Sequence, residues 1–211
     1  MSRFVATLAR VALTAPRPYH HGDLRRALLA AAVAQVEEVG PSNVSLRDLA
    51  RRAGVSHAAP AHHFGDKPGL FTAIAAEGFG LLTSRTTPLV DRQDALLQTG
   101  VVYVQFAVEH RGYFEVMFRP DLYREADPNL VCARDKSLEV LYRAARQGAG
   151  LPDGGDITGL AVAAWSVVHG FATLWLAGNF REQLSGNLDA DASIVAEGVA
   201  RLGEIIRRQI G

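Results

Sequence analysis

One cysteine, Cys132, stands in 211 residues, so no internal disulfide can form and nothing calls for an oxidising compartment. A lone thiol without a surrounding motif reads as a small buried hydrophobe. No stretch offers the ~18 to 20 uninterrupted apolar residues of a spanning helix. The richest, 157–177, contains His169 and reads as a buried helix of a soluble core. Residues 1–16 carry Arg3 and Arg10 and no acid, but Arg10 interrupts the apolar run and leaves no signal-peptide core. Gly-rich phosphate loops, a nucleophile elbow, metal-ligand spacing and a convergent carboxylate pair are all missing, which argues against an enzyme. No cofactor or metal is implied, and a cytoplasmic protein with no membrane partner is expected.

Net charge is lacking as well, since 22 Lys and Arg balance 22 Asp and Glu. The distribution is uneven, however. Residues 1–70 hold nine bases against five acids and five of the seven histidines, so a basic end sits on an acidic body. That is the electrostatic shape expected if one end faces phosphate.

Apolar residues recur at three- and four-residue steps throughout, and no sustained period-two alternation appears. After a tail ending in Pro16-Arg17-Pro18, a helix is predicted over 23–39, stopped by Gly40-Pro41. Ser45-Leu46-Arg47-Asp48 has the form of a capping box and starts a short helix that ends at Gly54. Ser56 can cap a second short helix through His63, with His57, Ala58 and Ala59 in its first turn. Asp66-Lys67-Pro68 begins a fourth helix. Longer helices are predicted over 88–109, 112–118, 128–149, 157–177 and 190–209. The expected fold is all-α: a flexible N-terminal arm (1–18), a three-helix helix-turn-helix domain (19–75), and a larger helical ligand-sensing and dimerisation domain (76–211).

The two short helices joined by Ala53-Gly54-Val55 have helix-turn-helix spacing, in which the first helix braces the backbone and the second enters the major groove. An ordinary helical hairpin has the same spacing. Asp48-Leu49-Ala50, Ala53-Gly54-Val55-Ser56 and His63-Phe64-x-x-Lys67 also stand in an order that resembles the TetR-type family of regulators. The preceding Ala31-Ala32 and Glu38-x-Gly40 extend the resemblance over about residues 19–79. More weakly, Trp165-Ser166-Val167-Val168-His169-Gly170 resembles the Trp…His-Gly class of C-terminal domain.

The resemblance implies a homodimeric regulator, by default a repressor, that binds a palindromic operator in double-stranded DNA and is released by a small-molecule inducer. It implies that Lys67 contacts phosphate. The DNA-binding candidates are Ser45, Arg47, Ser56, His57, Ala58, His62 and Lys67. Arg47 either reaches phosphate or a groove edge, or forms a surface ion pair with Asp48 or a neighbour. His57 is the candidate for a base edge. Two residues depart from the family pattern. Pro60 removes an early helical hydrogen bond, and Ala61 replaces an aromatic that commonly touches phosphate. These departures keep a second reading open, a helical dimeric adaptor that has lost DNA binding. His20-His21 and His62-His63 lack the partners of a tetrahedral zinc set.

In the larger domain, Tyr103, Phe106, Phe114, Met117, Phe118, Trp165 and His169 are the candidate pocket residues. Trp165 and His169 are four apart and share one helix face, a flat contact beside a polar handle. Leu160, Ala164, Val168 and Phe171, with Ile194, Leu202 and Ile206 on the last helix, are expected to form the dimer face. Ala161 and Gly198 are expected to allow close approach.

Overall fold

The computed structural model describes residues 21–149, 156–180 and 182–187, with isolated positions 190, 191, 194 and 198. Among them are eight α-helices and no strand: α1 (His21–Val39), α2 (Leu46–Arg52), α3 (Ala59–Phe64), α4 (Lys67–Thr86), α5 (Ala95–Glu109), α6 (Arg111–Met117), α7 (Pro128–Ala149) and α8 (Thr158–Leu176). The expected arm at 1–18 and nearly all of the last helix, Leu202 and Ile206 included, lie outside the described residues.

The start signals act as their chemistry dictates. Ser45 Oγ accepts from Asp48 N at 3.4 Å ahead of α2, and Asp66 Oδ1 accepts from Gly69 N at 2.8 Å ahead of α4. Asp48 does not complete the reciprocal half of the box; its carboxylate goes to Arg51 at 3.5 Å. Leu28, Ala32, Gln35 and Val36 form the buried stripe of α1, and it meets Leu49, Phe64, Leu70, Phe71 and Ile74 in one core. That core runs on without interruption through Phe79 and Leu82 to Phe106, Phe114 and Met117. The division expected at residue 75 falls inside α4, so the small and large parts share one continuous helix.

Other contacts tie α1 and α4 to α6. Glu37 Oε1 accepts from Gly112 N at 3.0 Å, and Tyr113 Oη donates to Glu77 Oε1 at 2.8 Å. A Cβ at Gly112 would stand 2.7 Å from the Val33 carbonyl, so the α1–α6 crossing needs glycine there.

Four expectations change. The helix expected from residue 88 begins at Ala95, because Pro88 is taken up in a 3-10 turn, Thr87–Leu89, where a missing N–H costs nothing. Val90, buried, then pins the break, and Arg92 holds Asp94 at 3.0 Å just ahead of α5.

The apolar stretch at 157–177 is not a buried core helix. It is long and apolar enough to cross a membrane by composition alone, yet only 17% of its apolar window is buried inside this chain. One side of α8 packs on α5 and α7. The other side exposes Leu160, Val167 and Leu174.

The expected dimer face is redistributed accordingly. Ala164 and Val168 line a cavity, and Phe171 is buried against Val104 and stacked on Phe180. Ala161 is fully buried against Ile157 and Ala145. Only Leu160 of the expected α8 set stays on the outside, with Ile194 exposed beyond the helix. Cys132 is exposed, not a core residue.

Candidate DNA-binding surface and ligand cavity

Between α2 and α3 the chain reverses at Gly54, whose φ of +66° is a left-handed conformation that a side chain would strain. Val55 N donates to Ala50 O at 3.0 Å across the turn, and Val55 packs into the core. The second helix starts late. Ser56 does not cap it; Ala58 takes the cap position without a side-chain bond, and Ala59 N donates to the Ser56 carbonyl at 3.0 Å. Pro60 explains the shift. A helix begun at Ser56 would need the Pro60 N–H that does not exist, whereas a start at Ala59 places Pro60 in the first turn, where that N–H is surplus.

His57 and Ala58 therefore lie in the turn before α3, not in its first helical turn. Ser56, His57, Ala58, Ala61 and His62 are all exposed along this edge, while Pro60 and Phe64 are buried beneath it. Arg47, exposed on α2, has no hydrogen bond or ion pair among the described residues. The expected alternative partner, Asp48, is held by Arg51, and Arg52 is held by Glu38 at 2.6 Å. Lys67 is already engaged: its ammonium donates to the Ser42 carbonyl at 2.8 Å and lies 5.6 Å from the Phe71 ring centroid. An ammonium has three donors, so two remain for a phosphate.

In the larger part, α4, α5, α6, α7, α8 and the segment after α6 enclose a cavity of about 500 Å³. Five of the candidate pocket residues line it: Tyr103, Met117, Phe118, Trp165 and His169. Phe106 and Phe114 do not. Phe106 is fully buried in the core, and Phe114 packs behind the wall against Tyr103 and His169. Sequence reasoning missed Phe79, Leu82 and Thr86 of α4, and Arg134, Leu138 and Leu141 of α7. The last three recur at four- and three-residue steps, a readable stripe on α7.

Three polar groups converge on one wall. Trp165 Nε1–H, which can only donate, donates to Tyr103 Oη at 3.2 Å. Tyr103 Oη stands 2.7 Å from His169 Nδ1. Among the described residues that nitrogen is the one acceptor for the buried Tyr103 proton, so Nδ1 accepts and the His169 proton sits on Nε2. Burial lowers the His169 pKa below its ordinary value and favours this neutral ring. Burial also raises the Tyr103 pKa, outweighing the opposing Trp165 bond, so the phenol stays protonated.

Residues 28–74 match the sequence profile of bacterial regulatory proteins of the tetR family, and residues 96–200 match that of the tetracyclin repressor-like C-terminal domain. Among curated proteins no sequence matches. A structure described as a protein of unknown function from Rhodococcus sp. RHA1 is 34% identical and aligns over 87% of this chain and 98% of its own, with a TM-score of 0.69. A bacterial regulatory protein of the tetR family from Rhodococcus RHA1 is 22% identical, covering 84% and 95%, with a TM-score of 0.67. The TetR family regulator PfmR from Thermus thermophilus is also 22% identical, covering 82% and 97%, with a TM-score of 0.65. The last two share the fold. With both profiles falling on the helix-turn-helix and on the cavity-bearing bundle, the chain belongs to the TetR family of bacterial regulatory proteins and is a DNA-binding transcriptional regulator.

Proposed function

We propose that the protein is a cytoplasmic homodimeric repressor, released from a palindromic operator by a small molecule in the α4–α8 cavity. It acts by binding, not by turnover. One observation carries this reading. The first half of α4 supplies Leu70, Phe71 and Ile74 to the helix-turn-helix core, and its second half supplies Phe79, Leu82 and Thr86 to the cavity wall. A ligand that favours one placement of α4 therefore biases the placement of α3, and only such differential preference shifts an equilibrium.

The exposed stripe of α8 supports the dimer. Leu160, Val167 and Leu174 stand seven apart with Ala163 and Gly170 between them, the repeat of a helix that pairs along a narrow seam. Gly170 faces open space within this chain, which leaves room for a second helix to approach. The Trp165, His169 and Gly170 spacing supports placement in the Trp…His-Gly class, since it combines the cavity hub with that open position.

Sequencing DNA selected by the purified protein tests the proposal. Two inverted half-sites one helical turn apart, or a multiple of it, are expected. Enrichment of no palindrome would leave a dimeric adaptor as the better reading.

A further inference from the structure

Arg134, in the second turn of α7, is half-buried and lines the cavity beside Pro120 and Tyr123. Its neighbours in the same domain are paired: Arg85, Arg92, Arg111, Arg119, Arg124 and Arg143 each hold a carboxylate at 3.0 Å or less. Arg134 holds none among the described residues. Glu125, the one carboxylate in the cavity lining among the described residues, makes no ion pair with it. A cation partly withdrawn from water with no carboxylate in contact among the described residues is costly, and the planar guanidinium fork matches a carboxylate. The rest of the wall is chiefly apolar, and His169, with Nδ1 taken by Tyr103, keeps one N–H to donate.

We propose that the ligand is a singly charged amphiphilic carboxylic acid, its carboxylate on Arg134 and its apolar body among Phe79, Leu82, Leu138 and Leu141. The assignment rests on the reading of this cavity as the ligand site. Glu125 at the same lining disfavours a second negative charge, which argues against dicarboxylates and phosphate esters. At about 30 Å³ per water the cavity equals roughly 17 waters, enough for a ring system or a medium-length chain.

Decanoate and decanamide, alike in chain length and headgroup shape but different in charge, are titrated into the full-length protein near neutral pH by calorimetry. Decanoate should bind about tenfold more tightly, a preference that Arg134→Gln erases while decanamide affinity stays unchanged. Equal affinities in the wild type, or a preference that survives Arg134→Gln, overturn the carboxylate assignment and leave the cavity reading standing. Binding of neither compound overturns both. Should Arg134→Gln fail to fold, Arg134→Met, which keeps the apolar stem without the charge, decides: loss of the preference supports the assignment and its survival overturns it.

Discussion

Arg124, on the segment that follows α6, places its guanidinium 2.7 Å from the carboxylate of Asp66, the residue that caps α4. The same arginine donates its backbone N–H to Thr72 Oγ1 at 3.0 Å. Its chain neighbours Tyr123 and Glu125 line the cavity, so this pair fastens the cavity rim to the joint between α3 and α4. Asp66 thus has two tasks that substitution can separate. Asp66→Asn keeps an oxygen for the Gly69 N–H and loses only an ion pair that is about half exposed, which is expected to cost under about 1 kcal/mol. Asp66→Ala loses the cap as well and should cost about 1 kcal/mol more. Urea unfolding of the two variants checks the order, and an equal loss in both would show that the cap contributes nothing.

The two proposed kinds of DNA contact should differ in kind. Lys67→Ala should weaken binding to all sequences alike and reduce the salt slope by about one unit per subunit, since one fewer counterion is released at each half-site. His57→Ala should cost about 1 to 3 kcal/mol, concentrated at one half-site position. Binding measured across salt concentrations on a selected operator and its single-position variants distinguishes them. Uniform loss for His57→Ala would place it on the phosphate backbone, as its position in the turn before α3 also permits.

Stability should report the neutral His169. Its folded pKa lies below the ordinary 6.5, so below that pH the unfolded chain binds more protons than the folded one. Stability from this group is complete above about 6.5 and falls as pH drops toward the folded value. His169→Gln removes that component. The wild type should therefore lose more stability than the variant between neutral and mildly acidic pH. Parallel profiles in urea titrations would show that His169 is not held neutral.

Association should depend on the outer stripe of α8. Val167→Glu or Leu174→Glu places a charge in the proposed seam without touching the cavity lining, and should convert the protein to a 22.7 kDa monomer with greatly reduced operator affinity. Sedimentation velocity at micromolar concentration reads the change. A wild type that already sediments as the single chain would remove the dimer.

Local signals carry most of the fold. Ser45, Gly54, Asp66 and Pro128 mark helix boundaries through chemistry that acts within a few residues, and the apolar stripe of α1 needs only its own periodicity. The late start of α3 has a local cause in Pro60, but it shows only when the missing N–H is placed against a candidate cap. The cavity is less legible. Trp165 and His169 are joined by helical spacing, yet their partner Tyr103 is more than sixty residues away and meets them only through packing. Arg134 shares a helical stripe with Leu138 and Leu141, but that spacing does not show its role, because an arginine in a helix looks the same whether its carboxylate is present or absent. The two sides of α8 are transposed for a related reason. Apolar residues cover most of its circumference, so sequence alone does not say which face turns inward.

The continuity of α4 constrains how such a chain can be recombined. The binding head has no seam at which it could be cut away: Leu70, Phe71 and Ile74 fill it from a helix whose far end belongs to the cavity. A chimaera that ended the head at Gly65 would export a hollow domain, and one that ended it at Thr86 would carry half of a foreign wall. Exchange of sensing domains between relatives would therefore have to proceed by co-inheritance of the whole helix, and a change in what is sensed would be written mainly on α5, α7 and α8.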